Sequence, residues 1–147
     1  MVLVGGGPQR ADLHAFRDSH PTLGVHCVDW CSYDELPAYY ALASCLVLPS
    51  VSEPWGIVVN EAMACGLPIL ASQACGCVPE LCRPGENGYV FDPYSIEEMA
   101  GLLVRMSEED GRGKGMQQAC HRIIDEFGLE TWAESLIAGI KAQASMP

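Results

Sequence analysis

The chain has 147 residues, 49% apolar and 18% charged, the makeup of one globular domain rather than a disordered segment. Eight Lys and Arg stand against 19 acids, a formal net charge of −11, which argues against roles that rest on attraction to nucleic-acid phosphates or anionic lipid. Apolar runs stop short of the about 20 residues a bilayer span needs, and MVLVGGGPQR has no charged leader before its short apolar run, so no signal peptide is expected.

The elements alternate. Met1–Val4 is a short apolar run stopped by Gly5-Gly6-Gly7-Pro8, and a helical stretch follows with Leu13 and Phe16 at i,i+3. Val25–Val28 reads as a strand. Pro37 cannot donate a backbone hydrogen bond and so fits the first turn of a helix running to about Ser44. CLVLPS is expected as a buried strand ended by Pro49, residues 55–65 as a helix stopped by Gly66, and LPILAS as another strand. A short helix near Val78–Cys82, the turn RPGENG and the strand YVFD come next.

The last third reads as helical. Ser95 with Glu98, and Thr131 with Glu134, have the spacing of capping boxes. Ile96, Met99, Leu103 and Met106 are expected to line one core face. Met116, Cys120, Ile123 and Phe127 line a second helix that Gly128 ends, and Trp132, Leu136 and Ile140 a third. Strands alternating with helices predict an α/β fold with a parallel sheet covered on both faces, in which ligands bind off the carboxyl ends of the strands.

Eight cysteines, at 27, 31, 45, 65, 75, 77, 82 and 120, invite a metal or disulfide reading. Cys45, Cys65 and Cys120 sit in apolar runs, where a free thiol acts as a small buried hydrophobe. No CxxC pair or matching His spacing appears, so no metal site is expected. His14, His20 and His121 fall on helices or helix ends, where solvation is expected, and His26 within a strand. Two glycine clusters fail as phosphate loops. Arg10 stands where a GxGxxG pattern needs its last glycine, and no Ser or Thr follows Lys114 in the stretch 111–115, which reads as a connection between helices.

The segment PSVSEPWGIVVNEAMACGLPILAS is different. From Gly56 to Ser72 its one ionisable acid or base, thiols apart, is Glu61, among Val58, Val59, Ala62, Met63 and Ala64. A carboxylate in such surroundings needs partners. Glu53 lies eight residues earlier, so a helix starting near Gly56 puts Glu53 in the loop above it and Glu61 about 8 Å along it. Between them lies a helix start whose free amides and positive dipole end favour phosphate. Gly56 is expected to let a ligand approach the backbone with no Cβ in the way. Carboxylates flanking an anion site suit a nucleoside diphosphate sugar: Glu61 can accept the ribose hydroxyls and Glu53 those of the sugar. Spacing alone leaves a plainer reading open, with Glu61 a snorkelling acid and Glu53 a loop acid.

EPWGIVVNEAMACGLPILAS closely resembles the Glu-x7-Glu segment of family 4 (group 1) glycosyltransferases, retaining enzymes of the GT-B fold. LVGGGP, LPAYYALASCLVLPS and GCVPELCRPGENGYVFDP resemble other segments of that family in the same order, over residues 2–95. The resemblance implies that residues 1–147 form one Rossmann-like nucleotide-sugar-binding domain with a helical C-terminal tail. It implies a catalytic, sugar-binding role for Glu53 and ribose binding for Glu61. The backbone at Trp55, Gly56, Ile57 and Val58 would face sugar and diphosphate. Ser50 would lie beside the donor, Gly76 near the sugar, and Trp30 and Cys31 in the base-binding region. The donor would be a UDP- or GDP-sugar, with no cofactor or metal, and the location cytoplasmic, with any attachment to the membrane's cytoplasmic face through a further domain.

Departures from the family pattern are equally specific. Family members carry an earlier strand and helix, an Arg and a Lys that clasp the diphosphate, and an N-terminal acceptor-binding domain. Against that pattern the chain is expected to be a truncated domain, inactive alone. Its two lysines, Lys114 and Lys141, are both in the tail; Ser44 replaces an Asp, and Cys75 a Gly. Two other functions remain: a non-catalytic assembly module that pairs with another subunit, and a GT-B nucleotide-sugar epimerase.

Overall fold

The short β-branched and leucine-rich runs form parallel strands, and each is followed by a helix. The structure is a computed structural model that describes residues 1–108 and 114–144, so the expected connection over 111–115 lies mostly outside the described residues. These residues divide into two compact units, 1–39 and 40–147.

In the first unit, β1 (Val2–Val4) pairs in parallel with β2 (His26–Val28), Leu3 opposite Cys27. Between them run α1 (Arg10–Ser19) and a 3-10 turn at Pro21–Leu23. The glycine turn after β1 is tied back by Gly5, whose amide donates to the Val28 carbonyl at 2.9 Å. The helix signalled by Leu13 and Phe16 forms as α1; the two side chains are 45% and 48% exposed, and Phe16 stacks on His20.

In the second unit, β3 (Leu46–Leu48), β4 (Ile69–Ser72) and β5 (Gly88–Phe91) form a parallel sheet in that order. α2 (Leu36–Leu42), in which the division between the units falls, precedes β3, α3 (Ile57–Ala64) joins β3 to β4, and α4 (Val78–Leu81) leads to β5. The tail is α5 (Ile96–Glu108), α6 (Lys114–Asp125) and α7 (Leu129–Ala144). Strand side chains alternate between faces. Leu46, Leu48, Ile69 and Ala71 pack on Val59 and Met63 of α3 and on Cys120 and Ile123 of α6. Val47, Leu70, Tyr89 and Phe91 pack on Met99, Leu102, Leu103 and Met106 of α5. The expected double-sided α/β layering is therefore present, with parallel pairing in two sheets.

α3 ends in a Schellman motif: Gly66 adopts φ +74°, its amide bonds the Met63 carbonyl at 2.9 Å, and Leu67 bonds that of Ala62 at 2.8 Å. The turn before β5 is organised by Asn87, fully buried, which accepts from the Arg83 amide at 2.7 Å and donates to the Leu81 carbonyl at 2.8 Å.

Several details of the tail differ from the sequence reading. Ser95 Oγ accepts from the Glu98 amide, but Glu98 returns its carboxylate to the amide of Asp92, not of Ser95, so only half the box forms. α7 begins at Leu129, which places Thr131 inside it rather than at its cap. α6 ends at Asp125, and Gly128 lies in the turn that follows. Ile96 is 72% exposed, with Leu102 turned inward in its stead. Trp132, for which helical spacing makes core packing the default, is exposed in a row with Leu136 and Ile140, because that spacing specifies a face but not what covers it.

The cysteines divide by position. Cys75, Cys77, Cys82 and Cys120 are buried, whereas Cys65, expected inside, is exposed where α3 ends. Burial pushes the thiols of Cys77 and Cys82 up to about 11 and that of Cys120 to about 12. The fold thus favours the neutral thiol. Its contribution to stability is complete below the ordinary value of 9.0 and is lost as pH rises through about 11 to 12. Alkylation of the native chain at pH 8, read by peptide mass spectrometry, should label Cys65 at least about tenfold faster than Cys120. The urea midpoint should fall between pH 9 and 11.

A second prediction concerns close approach in the sheet. A Cβ on Gly88 would lie 1.8 Å from the Ile69 carbonyl oxygen, whereas one on Gly101 of α5 meets nothing within 4 Å. Gly88→Ala should destabilise by about 3 kcal/mol or more, and Gly101→Ala should stabilise by about 0.5–1 kcal/mol, both read by urea denaturation.

Candidate functional site

The carboxyl ends of β3 and β4 continue side by side past the strands themselves. Pro49 removes a donor after β3, and the buried Ser72 hydroxyl spans the gap. It donates to the Ser50 carbonyl at 2.5 Å and accepts from the Ala74 amide at 3.0 Å. Beyond it, Glu53 donates its amide to Ala74 O at 3.2 Å and accepts from Gly76 at 2.9 Å, a parallel bridge between Glu53 and Cys75. Cys77 then donates to Trp55 O at 3.0 Å. The two loops are in backbone contact: a Cβ on Gly76 would stand 2.0 Å from the Pro54 carbonyl oxygen. Position 76 is glycine for that reason.

Gly56 caps α3 with φ +98°, a conformation L side chains rarely adopt. Its absent Cβ would point at Leu48 Cδ2 (3.2 Å), Cys77 Sγ (3.4 Å) and Glu53 Cγ (3.4 Å). This corrects the expectation for Gly56. The missing side chain makes room for the protein's own interior and for the turn, not for a ligand.

The turn delivers the start of α3. Val59 donates to Gly56 O at 2.9 Å, while the amides of Ile57 and Val58 precede the first intrahelical acceptor and stay available. The first turn contains no acid, so the positive end of the helix dipole is not offset within it. Ile57 is 62% exposed and Val58 half-buried. The Glu53 side chain lies along this turn, with Oε1 at 3.4 Å from the Trp55 amide. The Trp55 indole Nε1 donates to Asn60 Oδ1 at 2.9 Å.

Glu61 is half-buried on the same helix, and its partner is Tyr40, 8% exposed at α2, whose hydroxyl donates to Oε2 at 2.9 Å. A hydrogen bond to a charged group contributes roughly 1.5–3 kcal/mol, enough to hold a carboxylate in place among Val59, Ala62 and Met63. Second-unit geometry thus assembles Ser50, Glu53, Trp55, Gly56, Ile57, Val58, Glu61 and Gly76 around one helix start and the loops beside it.

Trp30 and Cys31, expected near a base, belong to the first unit. There Trp30 is 78% exposed and Cys31 donates its thiol to Ser32 O at 3.4 Å. Asp29, beside them, pairs with Arg10 and with His14, at 2.9 Å from the latter, so His14 is engaged rather than simply solvated. Three contributors escaped the sequence reading: Tyr40, Ser72 and Asn60. Tyr40 carried a signal, being an aromatic four residues after Leu36 on an amphipathic helix; Ser72 and Asn60 carried none. An open concavity of about 640 Å³, lined by Gly85, Glu86, Met116, Gln118, Ala119 and Arg122 among others, shares no residue with this site.

Residues 1–125 match the family of glycosyl transferases group 1. A D-inositol 3-phosphate glycosyltransferase of Streptomyces bingchenggensis is 33% identical over 98% of this chain and 33% of its own length. The sulfoquinovosyl transferase SQD2 of Arabidopsis thaliana is 34% identical over 70% of this chain and 20% of its own. Among solved structures, sucrose-phosphate synthase of Thermosynechococcus elongatus superposes with a TM-score of 0.79 at 25% identity, over 98% of this chain and 38% of that one. The chain therefore spans between a fifth and a third of the length of the first relatives it matches. The Rossmann-like α/β fold, with parallel sheets and a helical tail, matches that of GT-B glycosyltransferases. By sequence and by fold alike, the chain belongs to the group 1 glycosyl transferases.

Proposed function

We propose that this chain is the donor-binding part of a retaining family 4 glycosyltransferase, which moves a sugar from a UDP- or GDP-sugar to an acceptor hydroxyl. One observation carries the reading. Two carboxylates, Glu53 and Glu61, flank the acid-free start of α3, and each is oriented by a neighbour.

In this reading the ribose hydroxyls donate to Glu61, whose Oε2 is already fixed by Tyr40. The diphosphate meets the amides of Ile57 and Val58, which face developing negative charge at no cost of reorganisation. Glu53 accepts from hydroxyls of the donor sugar and orients it. The bond between the anomeric carbon and the phosphate oxygen breaks, the acceptor oxygen bonds to that carbon, and the acceptor's proton leaves with the nucleoside diphosphate. Acceptor binding and cationic contacts to the diphosphate are assigned to the remainder of a two-domain enzyme, so transfer by this chain alone is expected to be very weak. The names of the relatives, all transferases of sugar groups or a sucrose-phosphate synthase, support the reaction class.

An assembly role without chemistry draws on a different observation, the exposed row Leu129, Trp132, Leu136 and Ile140 of α7. Contiguous apolar surface of this kind marks contact sites.

Titration of the chain with UDP and GDP, followed by backbone NMR shifts, tests the donor reading. One nucleotide should perturb residues 56–61 at millimolar concentration or below. Glu61→Ala should weaken that binding about tenfold or more, as expected for loss of charge-assisted bonds to ribose. Tyr40→Phe, which frees the carboxylate without removing it, should weaken it about 3- to 5-fold. Equal binding by wild type and Glu61→Ala, or no binding by wild type, rejects the proposal.

A further inference from the structure

We infer that Asn60 is a positioning residue that sets the sugar end of this site through the indole of Trp55; the inference rests on the functional reading above. Trp55 stands immediately before the capping Gly56, and Asn60 is the fourth residue of α3. Side chains at these two places often meet as an apolar staple that fixes the angle at which the chain enters a helix. Here the staple is polar, an indole N–H donating to Oδ1 at 2.9 Å. The indole is a donor only, so the bond has one possible direction. Trp55 remains 39% exposed, and the directional bond orients the ring where burial is incomplete.

Trp55 is also the residue through which three parts of the site meet. Its amide faces Glu53 Oε1 at 3.4 Å, its carbonyl accepts from Cys77 at 3.0 Å, and its side chain reaches α3. Turning the indole therefore turns the segment from Glu53 to Gly56 relative to the amides of Ile57 and Val58. Glu61 is fixed separately, by Tyr40. The two ends of the site are thus held by different side chains, and losing one should spare the other. The chemistry of the acceptor fits the same role. An Asp at position 60 would serve the indole equally well but would set a negative charge beside a diphosphate, and the neutral amide avoids that repulsion.

The test compares nucleotide with nucleotide sugar. Using the intact chain, the affinities of UDP, UDP-glucose, GDP and GDP-mannose are measured for wild type, Asn60→Ala, Trp55→Phe and the double variant. For whichever base binds, Asn60→Ala should weaken the nucleotide sugar about 5-fold and the bare nucleotide less than 2-fold, the scale of one neutral hydrogen bond. Adding Asn60→Ala to Trp55→Phe should produce no further loss, because the effect passes through the indole. The Trp55 indole N–H, assigned by its disappearance in Trp55→Phe, should exchange with solvent more slowly than that of Trp30, and Asn60→Ala should abolish the difference. Equal losses for nucleotide and nucleotide sugar, or losses that multiply in the double variant, overturn the inference while leaving the functional reading intact. Wild type that binds none of the four ligands overturns both. An unprotected Trp55 indole in wild type removes the staple itself.

Discussion

The site depends on one backbone contact, the approach of the loop after β3 to the loop after β4. Three interloop hydrogen bonds, at Glu53, Gly76 and Cys77, continue the parallel ladder where no regular strand remains. They decide where Glu53 lies and where α3 begins. Two glycines permit this for separate reasons. Gly76 is needed because a Cβ would collide with the Pro54 carbonyl, and Gly56 because the chain must pass through a left-handed conformation against Leu48 and Cys77. The Ser72 hydroxyl completes the contact by bridging the two strand ends from within. The two carboxylates thus have their positions set separately, Glu53 by the ladder between the loops and Glu61 by Tyr40.

Periodicity revealed the strands and helices because they bury regular faces. The alternation of Ile69 and Ala71 against Leu70 is a two-sided strand, and both faces find helices. The start of α3 could be placed from Gly56 and the apolar run after it. Contacts between residues distant in sequence could not. Nothing in the string of residues indicates that Tyr40 meets Glu61 across 21 positions, or that Ser72 reaches Ser50. The direction of an absent side chain was equally hidden. Gly56 has the same letter whether its open face meets a ligand or the core, and in the fold it meets Leu48 and Cys77. The capping signal at Ser95 was met by half, since Asp92 took the Glu98 carboxylate, and that at Thr131 failed because α7 starts earlier, at Leu129.

The cysteines show why composition is a weak guide to chemistry. Eight thiols in 147 residues invite a redox or metal reading, yet Cys75, Cys77 and Cys120 occupy ordinary core places beside Met63, Leu81 and Ile123, and Cys82 is buried too. Their burial penalises the thiolate, the reactive and metal-binding form, and so works against that chemistry. Cys120 even uses its S–H as a weak donor, to the Leu67 carbonyl at 3.2 Å. A small, polarizable side chain suits the narrow space between the sheet and α6. Cys77 fills part of the space behind Gly56, which connects the core's packing to the geometry of the helix start.

The remaining question is how a chain with a net charge of −11 would accept a diphosphate at all. Range decides it. At physiological ionic strength exposed charges are screened over about 8 Å, so acids scattered over the surface contribute little at the start of α3. The amides of Ile57 and Val58 would touch the anion directly, where screening is absent. Only acids in the first turn or in contact with it would compete, and the turn itself has none. Glu53 and Glu61 are the carboxylates beside it, and in the proposed complex their oxygens are engaged by hydroxyls of the sugar and the ribose rather than turned toward phosphate. The neutral side chain at Asn60 follows the same logic. In the proposed complex, the absence of an acid from the first turn, more than any nearby cation, is what lets this helix start hold an anion.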